Sequence, residues 1–319
     1  MKIAITGATG GLGRNLVDFF HRRGDDVTAL GRNETIGRSL GVRFLAGDLA
    51  DATYVKQSLA GQDVVIHSAA LASPWGHWSD FEKANVIGTQ NVVDSSRECS
   101  RLVYISTPSI YFSGFPASRI SESDPLPEPA THYARSKLMG EKIVRSSELT
   151  TFTLRPRALF GPHDAVILPR IIRVMKRGVF PLPARGDALT DVTYVDNVVH
   201  AVALCLTADK RFSGRAYNIT NDESMSIREL TRLVSEAMKL DVKFVNAPLK
   251  PLMLAGSLLE KLATHVTHRE PLLTRYSVGL LGITQTLDIS RAKEDLGYKP
   301  IVSVREGLTR YTEWLEDAR

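Results

Sequence analysis

In the hexapeptide HYARSK, residues 132 to 137, a tyrosine stands four positions ahead of a lysine. On a helix that spacing brings Tyr133 and Lys137 one turn apart on the same face. A phenol, with an ordinary pKa of about 10, held beside a fixed ammonium is a proton-transfer pair. A partly buried tyrosine next to a surface lysine would leave the same trace, so the pair alone decides nothing. A cofactor site elsewhere in the chain that required such a pair would decide it.

The N-terminal run TGATGGLG supplies a candidate, with Gly7, Gly10 and Gly13 three apart. It follows the apolar run KIAIT and opens a helical pattern. This is the setting in which glycines let the backbone turn tightly and approach a pyrophosphate, with free helix amides behind them. The second apolar run ends TALGRN, where the carboxylate that would hold a ribose diol is missing. Arg32 stands there instead and can fork onto a 2′-phosphate, which favours NADP(H) over NAD(H). A solvated loop arginine is the alternative. Arg14, in the first turn of the glycine helix, adds a second cation or is simply exposed. Asp48, in GDLAD, either accepts from an adenine amino group or serves as a turn or cap residue.

The elements that must position these groups alternate. KIAIT, DVTAL, VRFLA, DVVIHSA, RLVYIST and TFTLRP read as six strands separated by amphipathic stretches, which implies parallel βαβ units. LPRIIRVMKRG is predicted as a helix outside this alternation, before DVTYVDNVVHAVALCL and RAYNIT resume it. From about Ser226 onward the pattern reads as helical. The expectation is a doubly wound α/β parallel sheet with a smaller, mostly helical C-terminal substrate lobe. Residues 1–156 would form the dinucleotide-binding domain, the chain returning to it at about 189–220, with 157–188 and 221–319 forming the lobe.

The 319 residues are 43% hydrophobic, enough for a sizeable core, and the 24% charged residues are interspersed with a net charge of +5. That balance suits an anionic ligand and gives no sign of nucleic-acid binding. Cys99 and Cys205, both in segments that read as helical, argue against a disulfide framework or a zinc site and are expected as core thiols. Glycine arrives too early for a signal peptide, and no apolar run reaches membrane-spanning length, so a cytoplasmic enzyme is expected.

With TGATGGLG, GDLAD, HSAA, NVIGTQNVV, STPSIY, YARSK and LRPRALFGP in that order, the chain resembles the extended short-chain dehydrogenase/reductases from end to end. DVTYVDNVVHAV, GRAYNIT and the closing EPLLTRYSVGLLGITQTLDISRAKEDLGYKP look most like its 3β-hydroxysteroid dehydrogenase branch, which includes 2-alkyl-3-ketoalkanoate reductases. The resemblance implies that Tyr133 exchanges a proton with a carbonyl oxygen, while Lys137 favours its phenolate and holds the nicotinamide ribose. Thr107 takes the position of the hydroxyl that orients the substrate oxygen, with Ser106 and Ser109 as the other candidates. The resemblance also carries Thr9, Gly11, Leu12, Leu49, Ala69 and Ala70 to cofactor contact. Asn85 matches an asparagine near the proton-relay lysine, or is a structural tie.

Pro108 and Ser109 stand where sugar-nucleotide dehydratases place an acid pair, so elimination lacks its proton donor. Thr190 stands where epimerases often carry a diphosphate-clamping arginine. Both departures favour a less polar carbonyl or alcohol substrate. Trp75 and Trp78 would line an apolar pocket or pack their own loop. Arg157 would fork onto a substrate carboxylate or form a structural ion pair. His163 reads as a loop residue with no metal partner. The apolar segment PLKPLMLAGSLLEKLATHV reads as lobe core, with a substrate cap or a membrane-surface rest as alternatives. The expected activity is NADP(H)-dependent interconversion of a ketone and a secondary alcohol, in a homodimer by resemblance. A sugar-nucleotide epimerase or reductase and a non-catalytic NADP(H) sensor are the rivals.

Overall fold

The structure is a computed structural model that describes residues 1–263, 271 and 273–317. Seven strands form its main sheet: β1 (Lys2–Thr6), β2 (Asp26–Gly31), β3 (Arg43–Ala46), β4 (Val64–His67), β5 (Arg101–Ile105), β6 (Thr151–Pro156) and β7 (Arg215–Ile219). All pairings are parallel, in the order β7-β6-β5-β4-β1-β2-β3. The six strands expected from the sequence are all present, and the seventh is the RAYNIT run. Ile3, Ala4, Ile5, Val64, Val65 and Ile66 are buried, because helices cover both faces of the sheet. Strands covered on both sides read as continuous apolar runs. The strand order reverses beside β1, so a crevice opens beyond the C-terminal ends of β1 and β4, where ligands of open α/β sheets bind.

Helix Gly11–Arg22 follows β1 directly. Its N-cap, Gly10, has no side chain to satisfy the first amides, which stay available to an anion. Helix His132–Arg145 is better capped, Thr131 accepting from the Ala134 amide, and it follows β5 through a loop that contains DPLPEPA.

The C-terminal part has its own core around Phe160, Leu168, Phe180, Tyr194, Val234 and Leu308. Helices Leu168–Met175, Ile227–Ala237 and Val304–Asp317 cover it. The mostly helical part beyond Ser226 is present and also contains two strands. Lys243–Ala247 pairs in parallel with Val179–Pro183. Gln285–Leu287 enters a second sheet between Leu189–Thr190 and Ala117–Ile120. Runs of five and three residues are too short to show a period, and their partners lie far away in sequence.

Helix Leu249–Leu262 corrects one expectation. It does not form lobe core: Leu254, Leu258 and Leu262 are 64, 60 and 48% exposed, and its buried residue is Gly256, seated against the backbone of Arg275. Residues 264–266 of that segment lie outside the described residues, as do 318 and 319 of the last helical pattern. Cys205 lies in helix Val195–Thr207 as expected, whereas Cys99 lies in a turn beyond helix Gly88–Ser95; both are buried free thiols. Among the described residues no helix is long and apolar enough to cross a membrane.

Candidate active site

The crevice floor is built by close backbone approaches. Gly7 has φ +68, and a Cβ on it would lie 2.7 Å from Ala69 Cα, so the turn after β1 lies against the chain leaving β4. A Cβ on Gly13 would lie 2.1 Å from the Gly7 carbonyl oxygen, which seats the helix on the turn. Gly10 differs. Its backbone is extended, and a Cβ there would meet little beyond the Gly7 carbonyl at 3.3 Å. Gly10→Ala is therefore expected to change folding stability by less than about 1 kcal/mol yet weaken dinucleotide binding at least tenfold, because the methyl occupies the space a pyrophosphate needs. Thermal melts and a fluorescence titration check the two halves.

Thr9 lies over the end of β2, within 3.0 Å of where a Gly31 side chain would be, and Arg32 follows, exposed. Asp48 accepts from the Ala50 amide at 3.0 Å and pairs with Lys83 at 3.0 Å; the amide, then Lys83, hold its carboxyl below the usual range, with Arg32 adding to the effect. Two cations thus flank the end of β3. The Ala69 amide donates to Thr6 Oγ1, and Leu49 is fixed through its carbonyl by Asn91. Leu12 packs into the core, and Ala70 is half-buried. Arg14 and His163 lie together beside the glycine helix, where the His163 carbonyl would sit 2.9 Å from a Gly11 Cβ. His163 is more than a loop residue: its ring packs edge-on against Trp314 at 5.0 Å, binding the glycine helix to the C-terminal part.

Thr107, two residues beyond β5, has extended backbone and caps the turn Pro108–Tyr111. The Tyr133 hydroxyl, on helix His132–Arg145, lies close enough to Thr107 for the two hydroxyls to interact. Thr107 donates to Ser109 Oγ at 3.0 Å and accepts from the Ser109 amide. Ser106 is buried with its hydroxyl unpartnered and is not part of this chain of contacts. Tyr276, which carries no signal in the sequence, donates to Ser109 Oγ at 2.7 Å from 167 residues away.

Lys137 is 1% exposed, with its ammonium 4.0 Å from the centre of the Tyr104 ring. Gly140 lets the helix sit this close, because a Cβ there would strike the Tyr104 hydroxyl at 2.2 Å. Burial pulls the Lys137 pKa down to about 7, opposed by Glu141 one turn on. The Glu141 carboxylate is itself held by Arg155, at 2.9 and 2.6 Å. The expectation that Lys137 drives Tyr133 towards phenolate is therefore corrected: burial dominates and pushes the phenol up to about 12, against the neighbouring Thr107 hydroxyl. The Tyr133 phenol is therefore neutral at physiological pH.

Because the folded Lys137 titrates below its ordinary 10.5, the unfolded chain holds an extra proton between about 7 and 10.5. Stability contributed by this group rises with pH across that window, and the burial cost is full below it. Lys137→Met is expected to raise the melting temperature of cofactor-free protein at pH 6–7, the gain shrinking towards pH 10; melts across that range check it.

Asn85, in a widened helical turn Glu82–Ile87, accepts from the Leu71 amide and donates to the Leu71 carbonyl and Ser136 Oγ. It ties the loop after β4 to the tyrosine helix, the structural alternative. Arg157 is 5% exposed and bonds Gln285 and Thr190 rather than a carboxylate. Its Nε has no partner, and burial lowers its pKa while Tyr276 and Asp191 oppose that shift. Trp78 carries Arg135 over its ring at 4.3 Å, and Trp75 packs against His77. Both rings are half-buried. Among the described residues, no three His, Cys, Asp or Glu side chains gather as a metal site.

These residues fit a dinucleotide. The glycine turn leaves phosphate room over uncapped amides, and Lys137 presents a buried ammonium with no ion pair of its own to a described residue. The model of the NAD dependent epimerase/dehydratase family matches residues 3–220. The chain belongs to that family. Membership of the NAD dependent epimerase/dehydratase family makes it an NAD(P)-dependent enzyme and bears out the extended short-chain dehydrogenase/reductase resemblance. Relatives include the uncharacterized protein YbjS of Escherichia coli (strain K12), 38% identical over 99% of this chain and 98% of its own length. A 2-alkyl-3-oxoalkanoate reductase of Stenotrophomonas maltophilia (strain K279a) is 34% identical over 97% and 98%. The solved structure of MoeE5 in complex with UDP-glucuronic acid and NAD shares the fold at TM-score 0.79, with 24% identity and 100% of both chains covered.

Proposed function

We propose that this protein is an NADP(H)-dependent oxidoreductase that interconverts a ketone and a secondary alcohol on an apolar, 3-keto-acid or steroid-like substrate. The observation that carries the reading is the placing of Tyr133 beside Thr107, with Lys137 buried one turn away on the same helix. The bound cofactor supplies a hydride to the carbonyl carbon. Tyr133, held neutral by burial, gives its proton to the carbonyl oxygen, and Thr107 fixes the direction of the phenol. Lys137 holds the nicotinamide ribose, the amides behind Gly10 hold the pyrophosphate, and Arg32 takes the 2′-phosphate. The described residues of the segments 157–188 and 221–319 form the substrate lobe, apart from Ile289, Ala292, Leu296 and Tyr298, which pack into the core of the main sheet.

The 2-alkyl-3-oxoalkanoate reductase relative supports the substrate class. The NADP(H) preference rests on Gly31 and Arg32 at the end of β2. Initial rates of NADPH and NADH oxidation over a panel of 3-keto acids, steroids and simple ketones test both. Arg32→Ala is expected to cut the NADPH-over-NADH preference at least tenfold, since a charge-assisted fork onto phosphate is worth about 1.5–3 kcal/mol. An unchanged preference would remove the NADP(H) assignment. Stabilisation by a UDP-sugar, with no turnover of any ketone, would replace the reductase reading with a sugar-nucleotide one.

A further inference from the structure

We propose that Tyr276 is a positioning residue for the reaction: it engages Ser109 so that the serine's own proton is directed at the substrate oxygen, giving that oxygen a second donor beside Tyr133. This rests on the reductase reading above. A hydroxyl donates one proton and accepts through two lone pairs. Thr107 gives its proton to Ser109 Oγ, and Tyr276 gives its proton to the same atom at 2.7 Å. Both lone pairs of Ser109 are then occupied, and its remaining proton meets no acceptor among the described residues. Buried hydroxyls find partners, so a donor left over beside a proton-transfer group is one that a ligand completes. Tyr133 lies beside Thr107, and Thr107 hydrogen-bonds Ser109, so the two hydroxyls flank the same threonine.

The surroundings hold Tyr276 to this task. Helix Arg275–Gly282 begins in a capping box between Thr274 and Ser277. The Tyr276 ring packs edge-on against Phe112 at 5.0 Å, and Phe112 directly follows the turn that carries Ser109. Gly279 admits the Phe112 ring, since a Cβ there would lie 2.5 Å from it. The Arg157 guanidinium, without a contacting carboxylate, lies close enough to Tyr276 for their charges to interact. Burial raises the Tyr276 pKa, and the Ser109 hydrogen bond and then Arg157 oppose that rise. Arg157 thereby has a role that is neither of the two its sequence position offered.

The test compares wild type, Tyr276→Phe, Ser109→Ala and the double variant in ketone reduction at saturating NADPH. Phenylalanine keeps the ring against Phe112 and removes only the hydroxyl. Ser109→Ala is expected to lower kcat about 10²-fold and Tyr276→Phe about tenfold, with KM for NADPH unchanged. The double variant is expected to be no slower than Ser109→Ala, because Tyr276 acts only through the serine. Multiplying losses, or full activity in Tyr276→Phe, would overturn the proposal and leave the reductase reading intact. Hydrogen exchange over residues 275–282 is the second readout: it stays at the wild-type rate if Tyr276 positions Ser109. Accelerated exchange accompanying the loss of rate would make the role one of packing and overturn the proposal. Wild type that binds NADPH but reduces no carbonyl would sink the reductase reading and this inference together.

Discussion

Tyr133→Phe is expected to lower kcat/KM for carbonyl reduction by about 10²- to 10⁴-fold, the range that a positioned proton donor contributes. Cofactor affinity should change little, because the phosphates and ribose are assigned to the glycine turn, Arg32 and Lys137. The phenol is the only group in the hydroxyl chain that the sequence, the helix geometry and the Thr107 contact all bring to one place. Its pKa, pushed up to about 12 by burial, keeps it protonated through neutral pH, so the rate of reduction should not fall with rising pH until well into the alkaline range. Stopped-flow or steady-state NADPH oxidation, with the phenylalanine variant beside wild type, measures both. A variant that keeps more than one-tenth of the activity would take Tyr133 out of the chemistry.

The second large effect lies behind the site, where Glu141→Gln is expected to destabilise the fold by about 3–5 kcal/mol, the usual cost of breaking a buried ion pair from one side. Arg155, 5% exposed, is forked onto Glu141 and also donates to the Tyr111 hydroxyl. Tyr111 passes the chain on to Asn218 Oδ1 at 2.9 Å, and the Asn218 amide donates to Glu122 at 2.6 Å. Helix His132–Arg145 is thus joined to β6 and β7 by buried polar contacts that each need their partner. A glutamine leaves the guanidinium charge uncompensated, and it also withdraws the field that opposes the depressed Lys137 pKa. Denaturant melts should show the loss, while Glu141→Leu combined with Arg155→Met, which removes both charges, should recover part of it. Equal stability of Glu141→Gln and wild type would mean that the pair is not formed in solution.

The main sheet was legible because physics writes it into local sequence: strands sandwiched between helices are short apolar runs such as VVIH, separated by amphipathic stretches. The glycine turn and the Tyr133–Lys137 spacing were legible for the same reason, since each is a demand made by a few adjacent residues on their own backbone. Lys137 shows where that stops. Its position was readable, but its lowered proton affinity comes from burial, which no spacing encodes. Tyr276 was invisible altogether, because TRYSVG is an ordinary helix start and its partner Ser109 lies more than half the chain away. The tryptophans after β4 were left between pocket lining and loop packing, and the Arg135 guanidinium of the tyrosine helix over the Trp78 ring is a contact that composition could not show.

Gln285–Leu287 slots between Ala117–Ile120 and Leu189–Thr190, with the Asp288 amide reaching back to the Ile120 carbonyl. During synthesis, then, a nascent chain that had already emerged through residue 275 would hold every glycine of the first turn, the phenol and the lysine, yet have a gap between two unjoined ribbon segments. Gln285–Leu287 is thus the strand that joins Ala117–Ile120 to Leu189–Thr190, although it comes last of the three in chain order.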